Sequence, residues 1–185
     1  MLFCVASLVV PGQAARPLDA FFDPAANETT VYLSRKYTPL TLYQPEGYIP
    51  PDSGMWVVKP EGLVLTVYFK TLGNKPTVPE TVKLSFESRS SGEFRYKNER
   101  KLVVKADDET LDLGQLALVK SDLDRSSRGM RGAYYEETLE ASVKLEDYSR
   151  IVIAKRVQMT IGKTKFRLSD TKLKELRSYI DRLKS

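Results

Sequence analysis

Residues 81–88 read TVKLSFES, in which Val82, Leu84 and Phe86 alternate with Lys83, Ser85 and Glu87. Strict alternation puts apolar side chains on one face of an extended chain and polar ones on the other, a period a helix cannot reproduce. The pattern recurs along the sequence. Residues 29–37 (TTVYLSRKY) are β-branched and aromatic, with Val31 and Leu33 set against Tyr32 and Ser34. Residues 56–59 and 63–70 (LVLTVYFK) read as two more strands, the second apolar enough to be central. Strand character returns in 94–106, after which Asp107-Asp108-Glu109 reads as a turn, and again in 116–120 and 134–143. A chain so dominated by short alternating segments points to a mainly β fold, an antiparallel β-sandwich.

Breaks in the pattern mark the connections. Residues 19–27 read as the end of a linker. Pro39, Pro45, Pro50 and Pro51 forbid a helix in 38–55, leaving a long surface loop or an edge excursion. Residues 121–132 (SDLDRSSRGMRG) are polar, carry two glycines and read as a loop. Residues 145–154 (LEDYSRIVIA) read as a short helix crossing the end of a sheet.

The closing residues specify register as well as type. Residues 157–161 and 164–168 flank Gly162-Lys163, a two-residue hairpin turn with glycine where positive φ is required. That turn sets Met159 opposite Phe166 and Val157 opposite Leu168 on one face, with Thr160–Lys165 and Gln158–Arg167 on the other. Ser169 is a suitable N-cap, and Asp170 puts a favourable charge in the first turn that follows. Leu173, Leu176, Ile180 and Leu183 then recur at helical spacing, so an amphipathic helix ends the sequence.

At the other end, residues 2–10 form an uncharged apolar run of nine, followed by Pro11 and Gly12 and by Gly12-Gln13-Ala14 or Gln13-Ala14-Ala15 as a small-residue cleavage site. These are the features of a secretory signal, and the run is about half the length of a bilayer-spanning helix. The expected organisation is a signal peptide over 1–15, a linker over 16–28 and one β-sandwich-like domain over 29–185. Localisation is then extracytoplasmic, periplasmic or secreted. The single cysteine, Cys4, leaves with the signal, so the mature chain uses no disulfide and has no permanent membrane span.

In this order the chain resembles a family of exported bacterial domains of unknown function. The likeness rests on ANETTVYLSRKY, LVLTVYFK, PETVKLSFES, LVVKADDETLDLG and the closing block IVIAKRVQMTIGKTKFRLSDTKLKELRSYIDRL, and covers roughly residues 28 to 184. Lys165 and Arg167 stand where acidic or neutral residues are commoner in those domains, and the proline-rich stretch is longer. The resemblance implies a β-sandwich ended by a short helix, a hairpin and a C-terminal helix, together with export. It brings no catalytic residue.

Composition closes several chemistries. With no histidine and one cysteine, the sequence has no Ser-His-Asp or Cys-His arrangement and no zinc site built on histidine or a cysteine cluster. Carboxylate pairs remain, and Glu136, Glu137 and Glu140 are the nearest candidates for a hydrolase. On a strand Glu136 and Glu137 face opposite ways, which argues against a shared cleft. Asp107, Asp108, Glu109 and Asp112, and Asp122 with Asp124, lack the spacing of a dedicated calcium loop and fit turn chemistry. No cofactor is expected.

Net charge is +5, and the excess falls in the last third, where Arg150, Lys155, Arg156, Lys163, Lys165 and Arg167 occur without an acidic residue between 148 and 169. Arg156, Lys163, Lys165 and Arg167 lie on or beside the hairpin and are the candidate contact for an anionic partner: phosphate-bearing lipid headgroups, acidic polysaccharide or an acidic protein. Lysines guarding an edge strand explain the same residues without a partner. Nucleic acid is not expected, since that face offers no aromatic stacking surface. Arg125, Arg128 and Arg131 form a second basic set, balanced in part by Asp122 and Asp124. Tyr37, Tyr43, Tyr48 and Trp56 offer an aromatic contact surface for sugar or protein, or simply pack on the sheet edge. The expected function is a non-catalytic binding or structural module of the cell envelope. Its partner is an unknown protein or an anionic envelope component.

Overall fold

The computed structural model describes residues 19–32, 40–43, 62–124 and 134–184. Its elements are β1 (Asp19–Asp23), β2 (Glu28–Tyr32), β3 (Leu40–Tyr43), β4 (Gly62–Leu72), β5 (Thr81–Ser91), β6 (Lys101–Ala106), β7 (Glu109–Gln115), β8 (Ala117–Asp124), β9 (Tyr134–Lys144), α1 (Leu145–Ile153), β10 (Val157–Ile161), β11 (Thr164–Arg167) and α2 (Asp170–Lys184). All strand pairs are antiparallel. A seven-stranded sheet runs β1-β2-β4-β5-β9-β8 with β3 also on β4, and a four-stranded sheet runs β11-β10-β6-β7. The two sheets pack together as a β-sandwich closed by the helices.

Alternation builds the core. Leu63, Leu65, Val67 and Phe69 of β4, Val82, Leu84 and Phe86 of β5, and Leu139, Ala141 and Val143 of β9 are buried on one face of the larger sheet. The smaller sheet answers with Leu102, Val104 and Ala106 of β6, Val157, Met159 and Ile161 of β10, and Phe166 of β11. Burying an apolar side chain of this size stabilises by about 1.5–3 kcal/mol, so loss of the alternating register would expose most of the driving force at once. Tyr148, Ile151 and Val152 of α1 and Leu173, Leu176, Tyr179 and Ile180 of α2 complete the core. Lys172 ties α2 to β3, its Nζ donating to the Leu42 carbonyl at 3.1 Å.

The closing hairpin has the expected register, with Met159 opposite Phe166, Thr160 opposite Lys165 and Gln158 opposite Arg167. The Leu168 amide donates to the Val157 carbonyl at 2.9 Å. Gly162 takes φ +52° in the turn, and the Ser169 hydroxyl accepts the Lys172 amide as an N-cap should.

Several boundaries differ from the sequence reading. Residues 19–23 belong to a strand rather than the linker, because β2 offers them an edge to pair with. Residues 40–43, inside the proline-rich window, form the short edge strand β3. The region 94–106 is strand only from Lys101, and residues 109–115 are a strand although glycine and two acidic residues dilute their pattern. Residues 121–124 extend β8 because β9 supplies partners as far as Asp124↔Tyr134. The strand expected at 56–59, the signal peptide, and Tyr37, Tyr48, Trp56, Arg125, Arg128 and Arg131 lie outside the described residues.

Candidate functional site

The outer face of the smaller sheet is assembled from three strands brought together by topology. On β11, Lys165 and Arg167 are exposed and Phe166 between them is buried, as period two requires. On β10 the outward residues are Gln158 and Thr160, both half-buried. Next comes β6, whose outward residues are Lys101, Val103 and Lys105.

The register sets two rows across the strands. Gln158 lies opposite Arg167 on one side and Lys105 on the other, and Thr160 lies opposite Lys165 and Val103. With strands spaced about 4.8 Å apart, the backbones of Arg167 and Lys105 are separated by roughly 10 Å with the Gln158 amide between them. Lys163 adds a cation at the hairpin turn. Among the described residues, Lys105, Lys163, Lys165 and Arg167 form no ion pair. Asp112 of β7 is bound to Lys101 at 2.6 Å, which removes both charges from the balance at that edge.

Three of the four expected contact residues therefore share this face or its rim, and the fourth is in a different setting. Arg156 lies beside Asp107, whose carboxylate accepts the amides of Arg156 at 2.9 Å and Lys155 at 3.0 Å. These bonds hold the Asp107 carboxyl below the usual aspartate range, with the neighbouring cations adding to the effect. The Arg156 charge is thus partly offset locally. Arg150, part of the same basic run, is paired with Glu109 and Asp147. Lys105 is the member the linear sequence hides, since it lies more than fifty residues before the hairpin and only the β10–β6 pairing puts it there.

The acidic residues are separated by structure. Glu137 is buried on the inner face, where both carboxylate oxygens accept the Tyr96 amide at 3.1 and 3.0 Å. Glu136 faces outward, 3.9 Å from the buried Arg89, which also pairs with Asp124 at 3.0 Å and lies 4.1 Å over the Tyr134 ring. Glu140 accepts the Tyr68 hydroxyl at 2.6 Å. Glu136 and Glu140 share a face but sit four residues apart on one strand, roughly 13 Å, beyond the 5–9.5 Å used by glycosidase carboxylate pairs. Asp112 and Asp122 accept the amides of Gly114 and Leu123, but both lie within strands, β7 and β8, so of the acidic stretches expected to form turns only Asp107-Asp108 does so. Among the described residues, no group of three or more aspartate, glutamate or cysteine side chains is placed to hold a metal ion.

Of the tyrosines singled out from the sequence, only Tyr43 falls within a described element, β3. The aromatic row the structure does place is a different one. Phe21, Tyr32 and Tyr68 cross the outer face of the larger sheet with ring centroids 6.0 and 5.7 Å apart. Each comes from a different strand, so no local motif announces the row.

Fold and surface together define an antiparallel β-sandwich with one basic sheet face. No protein-family model matches the chain, and comparison with curated proteins and with solved structures finds no match. Among the described residues no helix is long and apolar enough to cross a membrane.

Proposed function

We propose that the protein is an exported, non-catalytic binding module of the cell envelope that engages an anionic partner through the outer face of β11, β10 and β6. The observation that carries this reading is the set Lys105, Lys163, Lys165 and Arg167, held on one sheet face and its rim without an ion pair among the described residues. Lysines that only guard an edge would be needed on β11, the edge strand. Lys105 is on β6, an interior strand, where edge protection gives no reason for it. Export rests on the apolar run and small-residue site at residues 2–15.

The test is binding of the purified protein to an immobilised polyanion across a salt series. The parent should be retained at low salt and released as screening rises, and the double reversal Lys165→Glu/Arg167→Glu should lose retention with its melting temperature kept. Lys120→Glu, on the larger sheet, is the control and should change nothing. Retention that ignores the double reversal would remove the reading. Export is checked separately. Protein recovered from the periplasm or medium should begin at Ala15 or Arg16, whereas intact Met1 confined to the cytosol would refute it.

A further inference from the structure

Resting on the anionic-partner reading just given, we infer that the partner is a linear acidic polysaccharide laid across β11, β10 and β6, not a phospholipid surface. Charge alone fits both, so the neutral groups between the charges decide. Gln158 is flanked across the strands by Arg167 and Lys105, and Thr160 has Lys165 on one side. Both are half-buried. Neither side chain forms a hydrogen bond among the described residues. An amide between two cations and a hydroxyl beside a third match a polymer that carries hydroxyl groups between its carboxylates. Each cation takes an acid group, and each neutral side chain takes or gives a hydrogen bond to sugar hydroxyls.

A bilayer asks for something else. Charge-driven adsorption to headgroups does not use an ordered amide, and firm peripheral binding adds apolar insertion. Among the described residues, the large apolar side chains that stand exposed are Phe21, Phe22, Leu72, Val78, Val119 and Ile153, and none belongs to β6, β10 or β11. Among its described residues the basic face therefore brings cations and hydrogen-bonding groups to its partner, and its one outward apolar side chain, Val103, is half-buried.

Affinity electrophoresis of the exported protein, beginning at Ala15 or Arg16, through polygalacturonate, neutral dextran or poly-glutamate, beside co-sedimentation with phosphatidylglycerol vesicles, tests this. Polygalacturonate should retard the protein, dextran should not, and Lys165→Glu/Arg167→Glu should abolish the retardation. Gln158→Ala should weaken polygalacturonate binding about three- to tenfold, the effect of losing one hydrogen bond, while leaving vesicle or poly-glutamate binding unchanged. Vesicle binding as tight as polygalacturonate binding, with Gln158→Ala silent on both, would overturn the polysaccharide assignment and leave the anionic reading standing. Poly-glutamate bound as tightly, again with Gln158→Ala silent, would overturn it in favour of an acidic protein. Failure of the parent to bind any of the three polyanions would overturn the underlying reading as well.

Discussion

At Gly162 the backbone has φ +52°, and a Cβ built there would press against the Glu99 carbonyl oxygen. The first property costs any L-residue with a side chain about 1–2 kcal/mol. The second sets a new methyl against main chain, which cannot swing aside, and the Gly162 amide is meanwhile bonded to the Lys101 carbonyl at 3.1 Å. Gly73 separates the two effects, since its φ is +77° but nothing lies within 4 Å of the added Cβ. Gly73→Ala should cost roughly 1 kcal/mol and Gly162→Ala about 2–3 kcal/mol, read by urea denaturation. Equal losses would show that the approach of Glu99 carries no energy. The carboxylate of Glu137 presents the same kind of problem in polar form. It is 1% exposed, and the bonds it accepts come from one buried amide, that of Tyr96. Glu137→Ala leaves that amide without a partner and should destabilise by about 1–3 kcal/mol. Glu137→Gln keeps an acceptor oxygen while removing a buried charge, so it should cost much less. A glutamine variant as damaged as the alanine one would mean that the charge itself is required.

Among the elements, α1 depends most on its neighbours. Nine residues are too few to hold a helix in water alone, and Lys144 supplies no side-chain cap at its start. The Leu145 amide instead donates to the Glu80 carbonyl at 2.9 Å. Its far end is closed from α2, where Arg177 donates Nε to the Val152 carbonyl at 2.6 Å and a terminal guanidinium nitrogen to that of Ala154 at 2.8 Å. A cation there also meets the negative end of the helix dipole. Arg177→Ala should therefore cost about 1–3 kcal/mol and speed hydrogen exchange at the α1 amides, and Arg177→Lys should recover only part of the loss because lysine lacks the fork. Exchange in α1 that did not respond would refute the cap. In the sequence Arg177 is one of the charged residues set off the apolar stripe of α2, and nothing in its own segment marks it as the cap of another helix. Alternation and turn chemistry made β4, β5, the closing hairpin and α2 readable, since each is specified by its own residues. What β1, β7 and the end of β8 lack in local pattern is supplied by a partner strand, which one segment of sequence does not reveal. The basic face divides the same way: Lys165 and Arg167 follow from the hairpin register, Lys105 only from the β10–β6 pairing.

At the scale of the whole molecule, the described carboxyls and tyrosines with displaced titration stand at opposite ends of the pH range. Asp107 is held low by two amide donors, and Asp112 is held low by Lys101 and the Gly114 amide. A carboxyl lowered on folding adds stability above its unfolded value, and that stability is lost as pH falls through the folded value. On the alkaline side, burial raises Tyr68, Tyr96 and Tyr148, and Glu140 raises Tyr68 further. A tyrosine raised on folding contributes in full below its unfolded value near 10, and the contribution drains away as pH rises towards the folded one. The sequence has no histidine to titrate in between. Melting temperature should accordingly be nearly constant from about pH 5 to about pH 8 and decline on both sides. The alkaline limb has a spectroscopic signature. Of the ten tyrosines, the buried ones should form tyrosinate only as the protein unfolds, so part of the tyrosinate absorbance should rise together with loss of β-sheet circular dichroism. Tyr148→Phe should remove one tyrosine from that late phase and flatten the alkaline decline. It also loses the bond to the Leu176 carbonyl at 3.3 Å, so the slope against pH, not the melting temperature at neutrality, is the quantity to compare. An unchanged slope, or all ten tyrosines titrating smoothly in the folded protein, would contradict the burial from which the prediction is built.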